Sequence, residues 1–241
     1  MELEFCVLLC KDVALEVPAA MTVAECEKLV SVARETGRHC VMLENCCYDT
    51  FHQAMLTMEQ EGLFGTLTHL EGAYIHDLRD KYDSDGPTGW MSRLCGQHKG
   101  NPYPTHGIGP VCQLLHIHRG DRLDYLVSLT PATDVPHDVC VNNTLIRTVK
   151  GKSILLQYDV TTPRPYSRMQ TICGTRGFAQ KYPRRCINQI ARWEKQKEEL
   201  MNGGAITHAR SHEYAARIME AILTDVPTRI GGNVLNNGVI E

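Results

Sequence analysis

The 241-residue chain lacks the Gly-x-Gly-x-x-Gly turn that cradles a pyrophosphate at a helix N-terminus. It therefore offers no phosphate turn of that type. Positive charge is not in excess: the formal net charge of -3 speaks against electrostatic binding of nucleic acid or anionic lipid. No apolar run is long enough to span a membrane. Met1 to Cys10 has an apolar run but no basic n-region, and Lys11-Asp12 interrupts it, so it is not read as a signal peptide. None of the 11 cysteines falls in a Cys-x-x-Cys pair, and adjacent Cys46 and Cys47 suit neither an ordinary disulfide nor a zinc knuckle. Most cysteines, such as Cys40, Cys112 and Cys173, sit in apolar runs. Buried, reduced thiols in a cytoplasmic chain are the expectation.

What is present is ordinary in bulk, with 43% hydrophobic and 22% charged residues. The length suits one large domain or two small ones. Val13 to Pro18 reads as a buried strand. Thr22-Val23-Ala24-Glu25 is a capping box opening a helix with Cys26, Leu29, Val30 and Ala33 on one face, and Gly37 stops it. Cys40 to Leu43 is a second strand. This βαβ unit implies parallel pairing, with a ligand at the carboxyl ends, Glu16-Val17-Pro18 and Glu44-Asn45-Cys46.

A helix over Tyr48 to about Glu61 follows, with Phe51, Met55 and Met58 on its core face, broken by Gly62 and Gly65. Leu67 to Ile75 is a strand. Asp80 to Pro102 reads as a long loop. Gly107 to His118 is a helix. Strands are expected over 123–129, 143–149, 153–160 and 167–174, with Lys150-Gly151-Lys152 as a hairpin turn. A charged helix over Ile187 to Met201, with Glu194 to Glu199 as a solvated face, and a second helix over Ser211 to Leu223 complete the chain.

Chemistry is concentrated at Tyr103-Pro104-Thr105-His106-Gly107. If Pro104 to His106 form a first helical turn, their free N–H groups can bind a ligand oxygen. The imidazole can exchange a proton near neutral pH. A capped helix with a structural Tyr and His fits the same spacing. His116 and His118 are not read as a metal pair, because i and i+2 on a helix face apart. His116 is expected in the core and His118 at a helix C-terminus. Asp121 and Arg122 read as a local ion pair, and Cys46-Cys47 as a packed strand end.

Six runs carry a resemblance: Glu16 to Ala20, Leu43 to Asp49, Glu71 to His76, Tyr103 to Gly107, Ile117 to Arg122, and Asp159 to Arg168. Over about 11–182 the chain resembles glycoside hydrolase family 109, NAD-dependent glycosidases of the α-N-acetylgalactosaminidase type on the Gfo/Idh/MocA oxidoreductase fold. The resemblance implies an α/β (α+β) fold. Residues 1–46 would be the end of a Rossmann parallel sheet. Residues 47–183 would form a mixed, mostly antiparallel substrate domain with helices, and 184–241 a helical tail. It implies that Glu16, Val17, Asn45, Trp90 and Tyr103 contact NAD. Val17 stands where sugar dehydrogenases of this fold commonly carry Lys. It implies that Tyr74, Arg93, Tyr103, Pro104, Thr105, His106 and Tyr166 hold a small carbohydrate.

The implied chemistry departs from the two-carboxylate scheme. Hydride leaves C3 to NAD, a base removes the C2 proton, the leaving group is eliminated, water adds, and the hydride returns. His106 and Tyr103 are the expected bases at the C3 hydroxyl and at C2, in an order left open. A basic Tyr needs a neighbouring cation, for which Arg93 is the candidate. Two features depart from the family. The nucleotide-binding half is largely absent, and about 190–241 resembles the C-terminal region of glycoside hydrolase family 4. That family uses a divalent metal, but no Cys or His here maps onto its site, so no metal is expected. Two functions remain: an NAD-dependent glycosidase, or a non-catalytic homologue that binds sugar weakly or pairs with another chain. A homo-oligomer is left open.

Overall fold

A computed structural model describes residues 12–80, 100–132, 140–182 and 185–188, with Gly89, Arg93, Cys95 and Gly96. The expected tail helices beyond Asn188, and Trp90, lie outside the described residues.

The chain enters through β1 (Val13–Leu15), α1 (Val23–Thr36) and β2 (Cys40–Met42). β1 and β2 pair in parallel, Val13 opposite Cys40 and Leu15 opposite Met42, as the βαβ reading requires. The capping box is complete: Thr22 Oγ1 accepts from the Glu25 N–H at 3.2 Å, and Glu25 Oε2 accepts from the Thr22 N–H at 2.9 Å. Gly37, at φ 64°, ends the helix in the left-handed region. Yet no residue of α1 is buried. Its apolar positions Cys26, Leu29, Val30 and Ala33 line an open groove of about 810 Å³ with Leu15, Met21 and Met42.

A 3-10 turn, Asn45–Tyr48, leads into α2 (Thr50–Gln60). Asp49 caps α2, its Oδ1 accepting from the N–H groups of Phe51 at 2.9 Å and His52 at 3.3 Å. Phe51, Ala54, Met55 and Met58 recur at helical spacing and are buried. They pack on a sheet built from β3 (Leu67–Ile75), β4 (Leu123–Leu129), β5 (Val141–Thr148), β6 (Ser153–Asp159), β7 (Gln170–Gly174), β8 (Gly177–Gln180) and β9 (Arg185–Asn188). The strand order is β4-β5-β6-β3-β7-β8-β9. Only β3 and β6 run in parallel among these neighbours, with Tyr74 opposite Tyr158. The mostly antiparallel expectation is met, and the parallel pair places two strand carboxyl ends side by side.

Between β3 and β4 lies α3 (Thr105–Leu114), which sends Val111 and Leu114 into the core. Its seat on β3 depends on two glycines. A Cβ added at Gly72 would meet the Gly107 carbonyl oxygen at 2.2 Å. β4 forms one edge of the sheet, and all seven of its residues are exposed.

Several expectations are corrected. α3 begins at Thr105 and ends at Leu114, not His118. His116 (φ 52°) and His118 (φ 65°) are left-handed residues of the following turn. His116 is exposed and pairs with Glu59 at 3.1 Å, not with the core. The Asp121 carboxylate accepts from the Thr148 hydroxyl at 2.7 Å and from the N–H groups of Arg122 and Lys150, which pins the β5–β6 hairpin. Arg93, Cys95 and Gly96, expected in a loop, are helical. The strand β9 occupies Ile187 and Asn188, where a helix was expected, so the sheet runs past residue 183. Finally, Cys95 and Cys140 form a disulfide, contrary to the expectation of reduced thiols throughout. Among the described cysteines, Cys26, Cys40, Cys46, Cys47, Cys112 and Cys173 are free.

Candidate active site

The parallel ends of β3 and β6, the N-terminus of α3 and the segments after β1 and β2 converge on one cluster. Tyr74 stacks on Tyr158 with ring centres 6.1 Å apart. It also meets Tyr103 at 5.4 Å and His106 at 5.3 Å. Tyr103 and His106 meet edge to face at 4.9 Å. The three-residue spacing puts both rings beside the same strand end, which the sequence motif leaves unstated. The Tyr103 hydroxyl donates to the Val17 carbonyl at 3.4 Å, tying the segment after β1 to the cluster. No side chain caps α3, and of its first-turn N–H groups that of Gly107 is taken by the Pro104 carbonyl at 3.0 Å.

His106 has a partner that sequence reasoning assigned no role. Its Nδ1 lies 2.6 Å from Glu44 Oε1, and both side chains are only 5% exposed. Glu44 Oε1 also accepts from the Cys46 N–H at 3.0 Å. Burial pushes the Glu44 carboxyl up, but the His106 hydrogen bond and charge and the Cys46 N–H outweigh it, holding the group below the usual range. An ionised carboxylate can only accept, so this contact puts a proton on Nδ1. The sequence signals for Glu44 are its place at the carboxyl end of β2 and within the run Leu43 to Asp49.

The cation over the cluster is Arg168, whose guanidinium lies 5.6 Å from the Tyr74 ring centre and 5.9 Å from that of Tyr166. Arg93, proposed for that role, is exposed on its helical turn. Burial pushes the Tyr103 phenol up, reinforced by Tyr74, Glu16 and Glu44, and Arg168 only partly opposes this. A phenol held up in this way keeps its proton near neutral pH. Among the described residues, Arg168 Nε, Glu44 Oε2 and Thr105 Oγ1 are buried atoms without a hydrogen bond at ordinary distance, although the Thr105 hydroxyl helps hold the Glu44 carboxyl down. Such atoms call for a polar ligand.

The remaining expected residues are more scattered. Val17 is buried in the cluster, while Glu16 and Asn45 are exposed beside it. Pro104 and Thr105 are half-buried in the first turn of α3, and exposed Tyr166 meets His76 at 5.0 Å. Glu44, Cys46 and His106 offer three ligand atoms within 4.8 Å of one another. A metal there would have to break the Glu44–His106 pair and deprotonate Cys46. Burial pushes that thiol up to about 11 despite Arg168, which stands 3.6 Å from the sulfur.

Residues 48–143 match the glycosyl hydrolase 109 C-terminal domain. The α-N-acetylgalactosaminidase of Bacteroides fragilis is 56% identical over 197 residues, covering 72% of this chain and 46% of that protein. The relatives are family 109 glycosyl hydrolases. A family 109 protein of Phocaeicola vulgatus is 55% identical over 201 residues, covering 73% of this chain and 49% of its own length. The chain thus spans about half the length of the family 109 relatives it matches. Residues 137–241 match the family 4 glycosyl hydrolase C-terminal domain, so that resemblance begins within the sheet and not at about 190. The fold is shared with part of several solved oxidoreductases. An inositol dehydrogenase homolog complexed with NAD+ from Azotobacter vinelandii superposes with a TM-score of 0.60 at 13% identity, over 74% of this chain and 47% of that one. An NAD binding oxidoreductase from Klebsiella pneumoniae gives 0.62 at 14% identity, over 74% and 49%.

Proposed function

We propose that this chain is the sugar-binding part of an NAD-dependent glycosidase that hydrolyses α-N-acetylgalactosaminides or a related glycoside. The observation that carries the reading is the buried Glu44–His106 pair set among Tyr74, Tyr103 and Arg168 at adjoining strand carboxyl ends. Proton transfer, ring stacking and charge stabilisation meet there. The chemistry NAD supplies when bound is reversible hydride removal at C3 of the sugar. Glu16 and Val17 after β1, Asn45 after β2, and Tyr103, which precedes α3 and reaches the Val17 carbonyl, would hold its nicotinamide end. Trp90 is the further candidate. The pyrophosphate has no Gly-x-Gly-x-x-Gly turn in this sequence.

Within the pair of catalytic candidates, His106 is the base and Tyr103 the donor. The Nε2 lone pair of His106 takes a substrate proton. The protonated Tyr103 hydroxyl gives a hydrogen bond to a substrate oxygen. Arg168 Nε steadies negative charge growing on the sugar, where burial makes such a donor more effective than in water. Tyr74 and Tyr166 would offer ring faces to the sugar, with Arg93, Pro104 and Thr105 as the further expected contacts.

The second reading, a non-catalytic homologue that binds sugar or pairs with another chain, draws on the missing phosphate turn. Titration with NAD and NADH, followed by bound-NADH fluorescence, separates the two. The glycosidase reading expects micromolar binding and release of nitrophenol from nitrophenyl α-N-acetylgalactosaminide, lost in His106→Ala. No binding at millimolar NAD together with no release would sink it.

A further inference from the structure

We propose that Glu44 is a positioning residue that fixes His106 as its Nδ1–H tautomer and so makes Nε2 the atom that accepts the substrate proton. The inference rests on the glycosidase reading for the identity of that proton, but the tautomer itself does not.

Three observations carry it. The Glu44 Oε1 to His106 Nδ1 distance of 2.6 Å is at the short end for an N–H donor and a carboxylate. The pair is buried, so water does not compete for either partner. The third is a shape match on α3. Gly109 lies one turn beyond His106, and a Cβ there would meet Glu44 Cγ at 2.9 Å and Cys47 Sγ at 3.2 Å. The carboxylate stem therefore lies against the bare backbone of the helix that carries the histidine. A side chain at 109 would push the acid away from the imidazole.

The consequence is directional. With Nδ1 held by Glu44, the other ring nitrogen is the one left for the tyrosine cluster. As the substrate O–H bond breaks, an Nε2–H bond forms and the electron pair stays on the substrate oxygen. The ring becomes an imidazolium whose charge is balanced by Glu44, which itself takes no proton. A carboxylate behind a catalytic histidine acts in this way through orientation and charge.

The test is long-range nitrogen–proton NMR of the histidine rings in the full 241-residue chain, with the His106 signal assigned by its loss in His106→Gln. The wild-type ring at neutral pH should show the Nδ1–H pattern. Glu44→Gln, which can also donate to Nδ1, should shift it toward the Nε2–H form. An Nε2–H ring in the wild-type chain would overturn the proposal, and this needs no variant to fold. So would a Glu44→Gln ring unchanged from wild type. If the chain turns over the nitrophenyl glycoside with NAD, Glu44→Gln should lower kcat by roughly 10²- to 10⁴-fold. KM should change little. The pH profile should move, which a merely structural defect would not produce. An Nδ1–H ring beside a failed NAD titration would remove the glycosidase reading and leave the tautomer assignment standing.

Discussion

Replacing Gly72 with Ala tests whether the close seat of α3 on β3 builds the site. The added methyl carbon would stand 2.2 Å from the Gly107 carbonyl oxygen, 2.6 Å from its carbon and 2.8 Å from its Cα. All three are backbone atoms, so no side chain can rotate away. Restoring ordinary contact requires α3 to retreat from β3 by roughly 1 Å, and a gap of that size forfeits about a quarter to a half of each affected dispersion contact. Val111 and Leu114, fully buried on α3, would lose packing in the same movement. Overpacking of this kind costs about 1–3 kcal/mol, and the upper end is expected here. Because Gly107 follows His106 directly, the 2.6 Å pair with Glu44 would stretch toward the limit of a hydrogen bond. Gly107→Ala is the matched control. Its Cβ meets Gly72 and Ala73 backbone atoms at 3.2–3.4 Å, a misfit of a few tenths of an ångström. Gly→Ala in a helix gains up to about 1 kcal/mol, so this variant should be near neutral. Urea unfolding of both variants checks the order. Gly72→Ala within about 0.5 kcal/mol of wild type would refute the argument, as would a larger loss in Gly107→Ala.

Three further perturbations follow from the same structure. His52 is buried, and its pKa is lowered first by that burial. The unfolded chain therefore binds a proton near pH 6.5 that the folded chain refuses. Stability should fall as pH drops below about 6.5, at up to roughly 1.4 kcal/mol per pH unit, and His52→Gln should flatten the slope; an unchanged slope would exclude His52 as its source. Asp49→Ala removes the cap of α2 and a 2.6 Å ion pair with Lys181, and should cost about 1–2 kcal/mol in urea unfolding. The Cys95–Cys140 disulfide closes a separation of 45 residues, for which chain entropy gives about 4 kcal/mol. Reductant should lower the melting temperature, and non-reducing peptide mapping should recover the linked pair. Free thiols at both positions would refute the link.

Much of the scaffold was legible because it follows from local rules. The capping box at Thr22, the Gly37 stop, the helical spacing of Phe51, Met55 and Met58, and the Gly151 turn each dictate an element without help from distant residues. Tyr74, Tyr103 and His106 were legible through their resemblance to a family. Glu44 and Arg168 were visible as residues within matching runs, but their roles depend on contacts 62 residues apart for Glu44 and His106 and 122 apart for Arg168 and Cys46. No periodicity encodes such pairings. The end of α3 was overextended because apolar Ile117 continues the helical pattern. The left-handed backbone at His116 and His118 is a turn property that residue type does not announce. β8 and β9 were missed because Gly177–Gln180 and Arg185–Asn188 are too short to show alternation.

α1 has both ends satisfied and nothing buried. At 14 residues it is close to the length below which an isolated helix is marginal in water, so its caps and β2 set its stability more than any core does. Its amide protons should exchange with solvent through local opening, on a faster clock than those of β3 and β6, which are released only when the sheet itself comes apart. That separation makes α1 a built-in gauge. Material settling in the groove beside it would slow exchange in α1 alone, while a sugar held among the tyrosines would slow exchange at the ends of β3 and β6.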